Sequence, residues 1–485
     1  MKIFTQYLVL FFFIAIISCV PKDKSEQSIE GTWKSIGCGW ILQIQDSTKY
    51  SFYDITPVSC LPSNKGDLNE IKESLSFKND TLFMLKGVMT HKFTKIEKTP
   101  SICNSILPEN KKKDPIYNFE VFAKTVQEHY AFMELNNLNW KEVYELQKQK
   151  LGITASEIEL YKVIEETLEL LNDNHAYLEA TEDIYEKLEL TNGEGSETSG
   201  EGFTEIGDFE IANLVSKHHI TEDMTEESWL INWGKMKDSI GYIQIKSMWL
   251  YADLNIPKSL IKELGYVDAY VKTFHQMDEG SYIKKEVEGV REIMDKVMDD
   301  LMNTKSIVID LRFNGGGQDA VNFEILKRFN DQRRQIVTTK LKHKSSFSSI
   351  LPIYIEASSN PYTKPVFVLT SKQTGSAAEA FAIGSMAMPH LKRIGTTTQG
   401  ALSTALEKKL PNSWTFSISN EIYMDNHGNS YENIGVPIDY ALDYSNDRQT
   451  LFKNIAENLD ADKESILKAI KELQNNKIFS RQNAN

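Results

Sequence analysis

The sequence predicts a multidomain α+β protein: a small N-terminal β domain, a helical domain, and an α/β core. Three observations carry this. At 485 residues the chain exceeds one ordinary hydrophobic core and suggests about three compact units. The apolar period then changes twice, from alternation over residues 31–98 to helical spacing after Pro115, and to strand-like runs alternating with helical ones beyond residue 239. Finally, 41% hydrophobic and 25% charged residues are ordinary globular values, which argue against wholesale disorder and against a polytopic membrane protein.

Residues 1–18 read as a signal peptide. Lys2 precedes an apolar run at 7–17, too short for a permanent membrane span. The run ends in Ile16-Ile17-Ser18-Cys19, which resembles a bacterial lipobox. That resemblance implies lipidation of Cys19, a tether over 19–30, and a lipoprotein of the cell envelope facing the periplasm or the surface. An ordinary signal peptide with a chance cysteine is the alternative. The net charge of −14 repels phosphates, so no nucleic-acid partner is expected.

Residues 31–105 form the predicted β domain. Trp40-Ile41-Leu42-Gln43-Ile44 and Lys49-Tyr50-Ser51-Phe52-Tyr53 alternate as half-buried strands do, consistent with an antiparallel sheet or barrel. Gly31-Thr32-Trp33 gives it some resemblance to lipocalin-type modules. Cys38, Cys60 and Cys103 follow Cys19, and an exported compartment permits a disulfide. Cys38 with Cys60 is the favoured pair, because both lie in one short segment. No metal site is expected: CxxC and HExxH are absent and the nine histidines are scattered.

The helical domain is assigned to 115–190. Thr154-Ala155-Ser156-Glu157 has the form of a capping box, and Leu160, Val163, Ile164, Thr167, Leu168 and Leu171 then mark one buried face. The helix should end near Asn172, leaving Asp173-Asn174-His175-Ala176-Tyr177 in an exit turn. Residues 191–203 are acidic and rich in glycine and serine, so 191–238 reads as a linker or lid. The α/β core is assigned to 239–445, with strands at 240–245, 306–311 and 365–370 and helices ending near Met302 and starting at Ala377. Residues 446–485 read as C-terminal helices that pack on the core. Asp425-Asn426-His427-Gly428-Asn429 lacks the remaining ligands of a calcium loop and reads as a hairpin turn.

Two elements of the core could carry chemistry. The apolar run 365–370 leads through Thr374-Gly375-Ser376 into a helix of small residues, which suits either an exposed nucleophile or a plain helix cap. The run 306–311 ends in Gly315-Gly316-Gly317, where backbone can approach a ligand closely and point an N–H at it. A phosphate loop is a poor reading, since no Gly-Lys-Ser/Thr follows.

Together these elements resemble the tail-specific, or C-terminal processing, serine peptidases, family S41. The matching motifs are Asp310-Leu311-Arg312-x-Asn314-Gly315-Gly316-Gly317, Thr374-x-Ser376-Ala377-Ala378-Glu379, and Gly395-Thr396-Thr397-Thr398-Gln399-Gly400. The resemblance spans roughly 115–445 and implies a crotonase-like core, a peptide or protein substrate and no cofactor. In the serine-lysine branch a lysine follows the third motif; Ala401 stands there instead, and Lys372 does not match that lysine.

The tricorn-like branch takes a histidine from an upstream helical segment and a glutamate from a later loop. Leu170-Leu171-Asn172-Asp173-Asn174-His175 and Tyr431-Glu432-Asn433-Ile434-Gly435 are similar to those segments. The resemblance therefore implies Ser376 as nucleophile, His175 as base and Glu432 as its support, directly or through an orienting Asn174, which stands where the branch carries serine. Gly315, Gly316 and Ala377 would supply the oxyanion hole. The expected activity is endopeptidase hydrolysis of exported proteins or peptides through an acyl-enzyme. The rivals are a noncatalytic ligand- or peptide-binding envelope lipoprotein on the same fold, and acyl-CoA chemistry.

Overall fold

A computed structural model describes residues 28–192, 205–277 and 279–482. The signal peptide and Cys19 lie outside the described residues, as do 193–204.

The N-terminal domain is an open antiparallel sheet of seven strands. Their spatial order is Cys60–Asp67, Lys49–Ile55, Trp40–Gln45, Gly31–Ser35, Met89–Ile96, Thr81–Lys86 and Leu75–Lys78. Alternation puts Trp33, Leu42, Ile44, Leu82 and Phe93 on one face, where they form a core of their own. The disulfide joins Cys60 to Cys103, not Cys38 to Cys60. Nearness in sequence misled here. Cys38 sits in the turn after the first strand, is 1% exposed, and packs into the helical domain's core, whereas the turn Ser101–Asn104 brings Cys103 back against the strand of Cys60.

The helices Pro115–His129, Trp140–Lys150 and Glu157–Leu171 follow. Asp114 accepts the N–H groups of Ile116 and Tyr117 and so starts the first of them, with Pro115 at the position where its missing donor costs nothing. The capping box of the third uses Ser156 and Glu159, two residues later than expected. Ser156-x-x-Glu159 fits the same spacing as Thr154-x-x-Glu157. The six residues of the predicted apolar face are all buried, and Asn172 ends the helix in the left-handed conformation.

The core sheet also has seven strands: Tyr440–Ala441, Leu391–Gly395, Val366–Thr370, Ser306–Asp310, Ile240–Ile245, Ile231–Lys235 and Glu222–Asp223. The first five run parallel to one another, Ile231–Lys235 runs antiparallel to Ile240–Ile245, and Glu222–Asp223 runs antiparallel to Ile231–Lys235. Ser306–Asp310 and Val366–Thr370 are buried at every position because helices cover both faces. Helices Glu279–Leu301, Asp319–Lys327 and Ala377–Ser385 pack on one face. Asp208–His219, Arg448–Glu457 and the start of Leu459–Gln482 pack on the other. The stretch expected as linker or lid thus supplies, from residue 208 onward, a helix and two strands of this sheet.

Asp310 and Arg312 tie the tail to the sheet. Arg312 is fully buried, donating Nη2 to Asp310 (2.6 Å) and Nη1 to Asp462 (2.8 Å) of the last helix. Burial alone would raise the Asp462 carboxyl, yet Arg312 and His219 hold it well below the usual range. Truncating one member would leave a buried charge unpaired, at a cost of about 3–5 kcal/mol.

Candidate active site

The site lies where the parallel strands Ser306–Asp310 and Val366–Thr370 end at their carboxyl edges, the usual ligand crevice of an open α/β sheet. The two exit loops are strapped together. Thr374 donates its hydroxyl to the Leu311 carbonyl (2.8 Å), Ser371 to that of Arg312 (2.5 Å), and the Gly375 N–H to that of Asn314 (3.0 Å).

Ser376 sits at the resulting elbow with φ 50° and ψ −122°. This left-handed geometry is sterically costly for a residue with a Cβ, and it lies outside the extended region a capping serine adopts. Its side chain makes no capping hydrogen bond, and its Oγ lies 3.3 Å from Nε2 of His175. The two residues are 201 positions apart, and antiparallel pairing joins them. Tyr177–Glu179, just after His175, pairs with Thr415–Ser419 on the core side.

Asp173 sets the His175 turn. Its Oδ1 accepts the His175 N–H (2.9 Å) and the Ser419 hydroxyl (2.7 Å), and its Oδ2 accepts the Ser419 N–H (2.7 Å). Burial lowers the His175 pKa from its ordinary value, and Asp173 partly offsets this. A half-buried neutral imidazole beside a serine hydroxyl can accept its proton. For Nε2 to accept, the ring proton must sit on Nδ1, and that atom is buried without a hydrogen-bond partner.

Glu432 does not fill that gap. Its Oε2 accepts the N–H groups of Leu402 (2.9 Å) and Ser403 (3.2 Å), and burial, aided by Glu379 and Asp173, pushes its pKa up to about 8. Such a carboxyl is largely protonated at neutral pH and supplies little negative charge to an imidazolium. Asn174 does not relay between them either: it is exposed, and Nδ1 of His175 remains unpartnered. Ser376 and His175 are brought together; Glu432 and Asn174 do not join them.

The glycine loop also differs from expectation in one member. The Gly316 N–H is taken by the Asn314 side chain (2.9 Å), so it is not a free oxyanion donor. Gly316 serves instead through its missing Cβ, which at φ 109° would lie 2.6 Å from that of Ser376 and 3.0 Å from the Ala377 nitrogen. Ala377 is the first residue of its helix, so its N–H has no intrahelical acceptor, and the exposed Gly315 lies on the adjoining loop.

Sequence reasoning gave Glu379 no role beyond its motif. Its buried carboxylate accepts the hydroxyl of Thr398 (2.5 Å) and the N–H groups of Gly400 (2.7 Å), Ala401 (2.7 Å) and Ser376 (3.2 Å). Its place one turn into the helix, three residues after Ser376, was the available signal. Lys372, which does not match the lysine base of the other branch, donates Nζ to the Thr398 carbonyl (2.8 Å).

Residues 239–442 match the family model described as Peptidase family S41. The α/β core belongs to peptidase family S41. Among solved structures, a putative peptidase from Parabacteroides merdae is 19% identical over 71% of this chain and 96% of that one, with a TM-score of 0.51. Mature CPAF is 13% identical over 75% and 99%, with a TM-score of 0.52. Likeness at these identities is likeness of fold, and it covers the mixed α/β multidomain architecture. An S41 core supports a peptidase, a hydrolase whose substrates are peptides or proteins.

Proposed function

We propose that this S41 peptidase is a serine peptidase in which Ser376 attacks the scissile carbonyl and His175 Nε2 takes the hydroxyl proton. The 3.3 Å approach of these two atoms at a strained elbow carries the reading. Attack forms a tetrahedral intermediate, its oxyanion facing the N–H groups of Ala377 and Gly315. His175 returns the proton to the leaving amine, and water then hydrolyses the acyl-enzyme with His175 again as base.

Asp173 replaces Glu432 as the acid that supports His175. It raises the His175 pKa and fixes the turn, whereas burial pushes the Glu432 carboxyl up to about 8 and it is occupied by Leu402 and Ser403. We further propose that the enzyme acts on exported proteins or peptides, anchored in the cell envelope through Cys19. The Cys60–Cys103 disulfide supports an oxidising compartment, because such bonds are rare in the cytosol.

A fluorophosphonate probe tests the nucleophile. Wild-type protein should be labelled covalently at Ser376, and Ser376→Ala should not. Absence of labelling in folded wild-type protein would sink the serine mechanism.

A further inference from the structure

Away from Ser376, a cavity of about 320 Å3 opens between the N-terminal sheet and the C-terminal end of helix Pro115–His129. That volume falls at the lower end of small-molecule sites. Lys34, Glu128, His129, His343 and Lys344 contribute its polar wall, and Ile55 and Ile102 an apolar one.

His129 is the anomaly. It is 4% exposed, and the backbone group that faces its ring, the Gly37 carbonyl, does not meet either ring nitrogen in good hydrogen-bond geometry. Glu128 Oε2, at 4.0 Å from Nε2, is out of hydrogen-bond reach. Buried polar atoms are nearly always satisfied, so an orphaned imidazole in a cavity wall calls for a partner. A second void of about 10 Å3 touches the same ring, room for one water at most, which could serve one nitrogen and leave the other. Gly39, at φ 63°, packs against the ring: a Cβ there would come within 2.6 Å of Nε2.

The other polar groups favour negative charge. His343 Nδ1 accepts the Gly37 N–H (3.2 Å), which puts its own proton on Nε2 as a donor. Lys34 and Lys344 form no ion pair among the described residues, and after burial they are what lower the His343 pKa. Glu128 is the one carboxylate in the wall; burial raises its pKa, and Lys34 and Lys344 partly oppose this. The Cys60–Cys103 bond holds Ile102 in place beside Cys103, so the wall is fixed before any ligand arrives.

We propose that this cavity binds a small oxyanion, a molecule carrying a carboxylate or phosphate group, taken by Lys34, Lys344, the His343 Nε2–H and a ring N–H of His129. Charge-assisted hydrogen bonds to such a group would satisfy His129 and use both unpaired lysines. The proposal is independent of the serine mechanism.

Calorimetric titration of the full chain, disulfide intact, with inorganic phosphate and with succinate at constant ionic strength tests it. Saturable binding of at least one probe is expected; phosphate alone or succinate alone identifies the preferred group. Lys34→Gln and Lys344→Gln should each weaken binding about tenfold, and Ser376→Ala should leave it unchanged. His129→Phe should abolish it. Should that variant fail to fold, the lysine variants, on exposed or half-exposed positions, decide. No saturation with either probe, or equal affinity in the lysine variants, overturns the proposal.

Discussion

Glu379 and Glu432 divide four successive amides between them: Glu379 accepts the N–H groups of Gly400 and Ala401, and Glu432 those of Leu402 and Ser403. The segment that would carry a lysine base in the other branch is therefore clamped by two buried carboxyls, with Ala401 facing Glu379. The clamp also explains why Glu432 is unavailable to His175.

Replacing Glu432 by Gln tests that division. An amide oxygen still accepts both N–H groups, so kcat/KM should fall by no more than about tenfold. A carboxylate that held the histidine would instead cost on the order of 10^4, as loss of the acid does in other serine triads. A loss of that size in a folded Glu432→Gln variant would restore Glu432 to the catalytic group.

Ser376→Ala and His175→Ala should each lower kcat on the order of 10^4-fold or more, and the double variant should lose little beyond either single one. Residues that act as a unit are non-additive. Multiplicative losses would mean that they act separately.

The pH profile follows from the His175 environment. Burial lowers its pKa, so the base should remain neutral, and kcat/KM flat, down to below the ordinary histidine value of 6.5 before the acid limb begins. Asp173 opposes the shift. Asp173→Asn should move the acid limb further down in pH and reduce the rate by disturbing the turn. An acid limb above 6.5 in the wild type would contradict the assignment.

Two buried carboxyls make a contribution to stability that declines as pH rises. Burial, the largest effect, pushes Glu421 up to about 7 and Asp319 to about 6, and each is hydrogen-bonded inside the core. A carboxyl whose folded pKa is raised stabilises fully below its unfolded pKa, near 4.5 for Glu421, and loses that contribution as pH rises through the folded value. Glu421→Gln, which keeps an acceptor for Thr404, should therefore gain melting temperature relative to wild type as pH rises from roughly 5 to 8. At the upper end it should be more stable than wild type by about 2–3 kcal/mol. An unchanged slope would rule out Glu421 as its source.

The legible parts of the fold were those that one periodicity decides. The face Leu160 to Leu171, the strands Ser306–Asp310 and Val366–Thr370, and the start of the helix at Ala377 follow from local apolar spacing. Cys60–Cys103 was not legible, because pairing depends on where a turn returns the chain and not on sequence distance. The same holds in the site. Ser376 and His175 were readable from motifs, but the roles of Glu379, Glu432 and Gly316 depend on which backbone amides fold against them, and amides carry no signature in the sequence.

The strand Tyr177–Glu179 is only three residues long, yet its pairing with Thr415–Ser419 delivers His175 to Ser376. Under the proposed mechanism, a polypeptide whose helical layer has not docked holds an unactivated serine. Competence thus waits on this long-range closure, and a molecule that has not made it cannot cleave its neighbours.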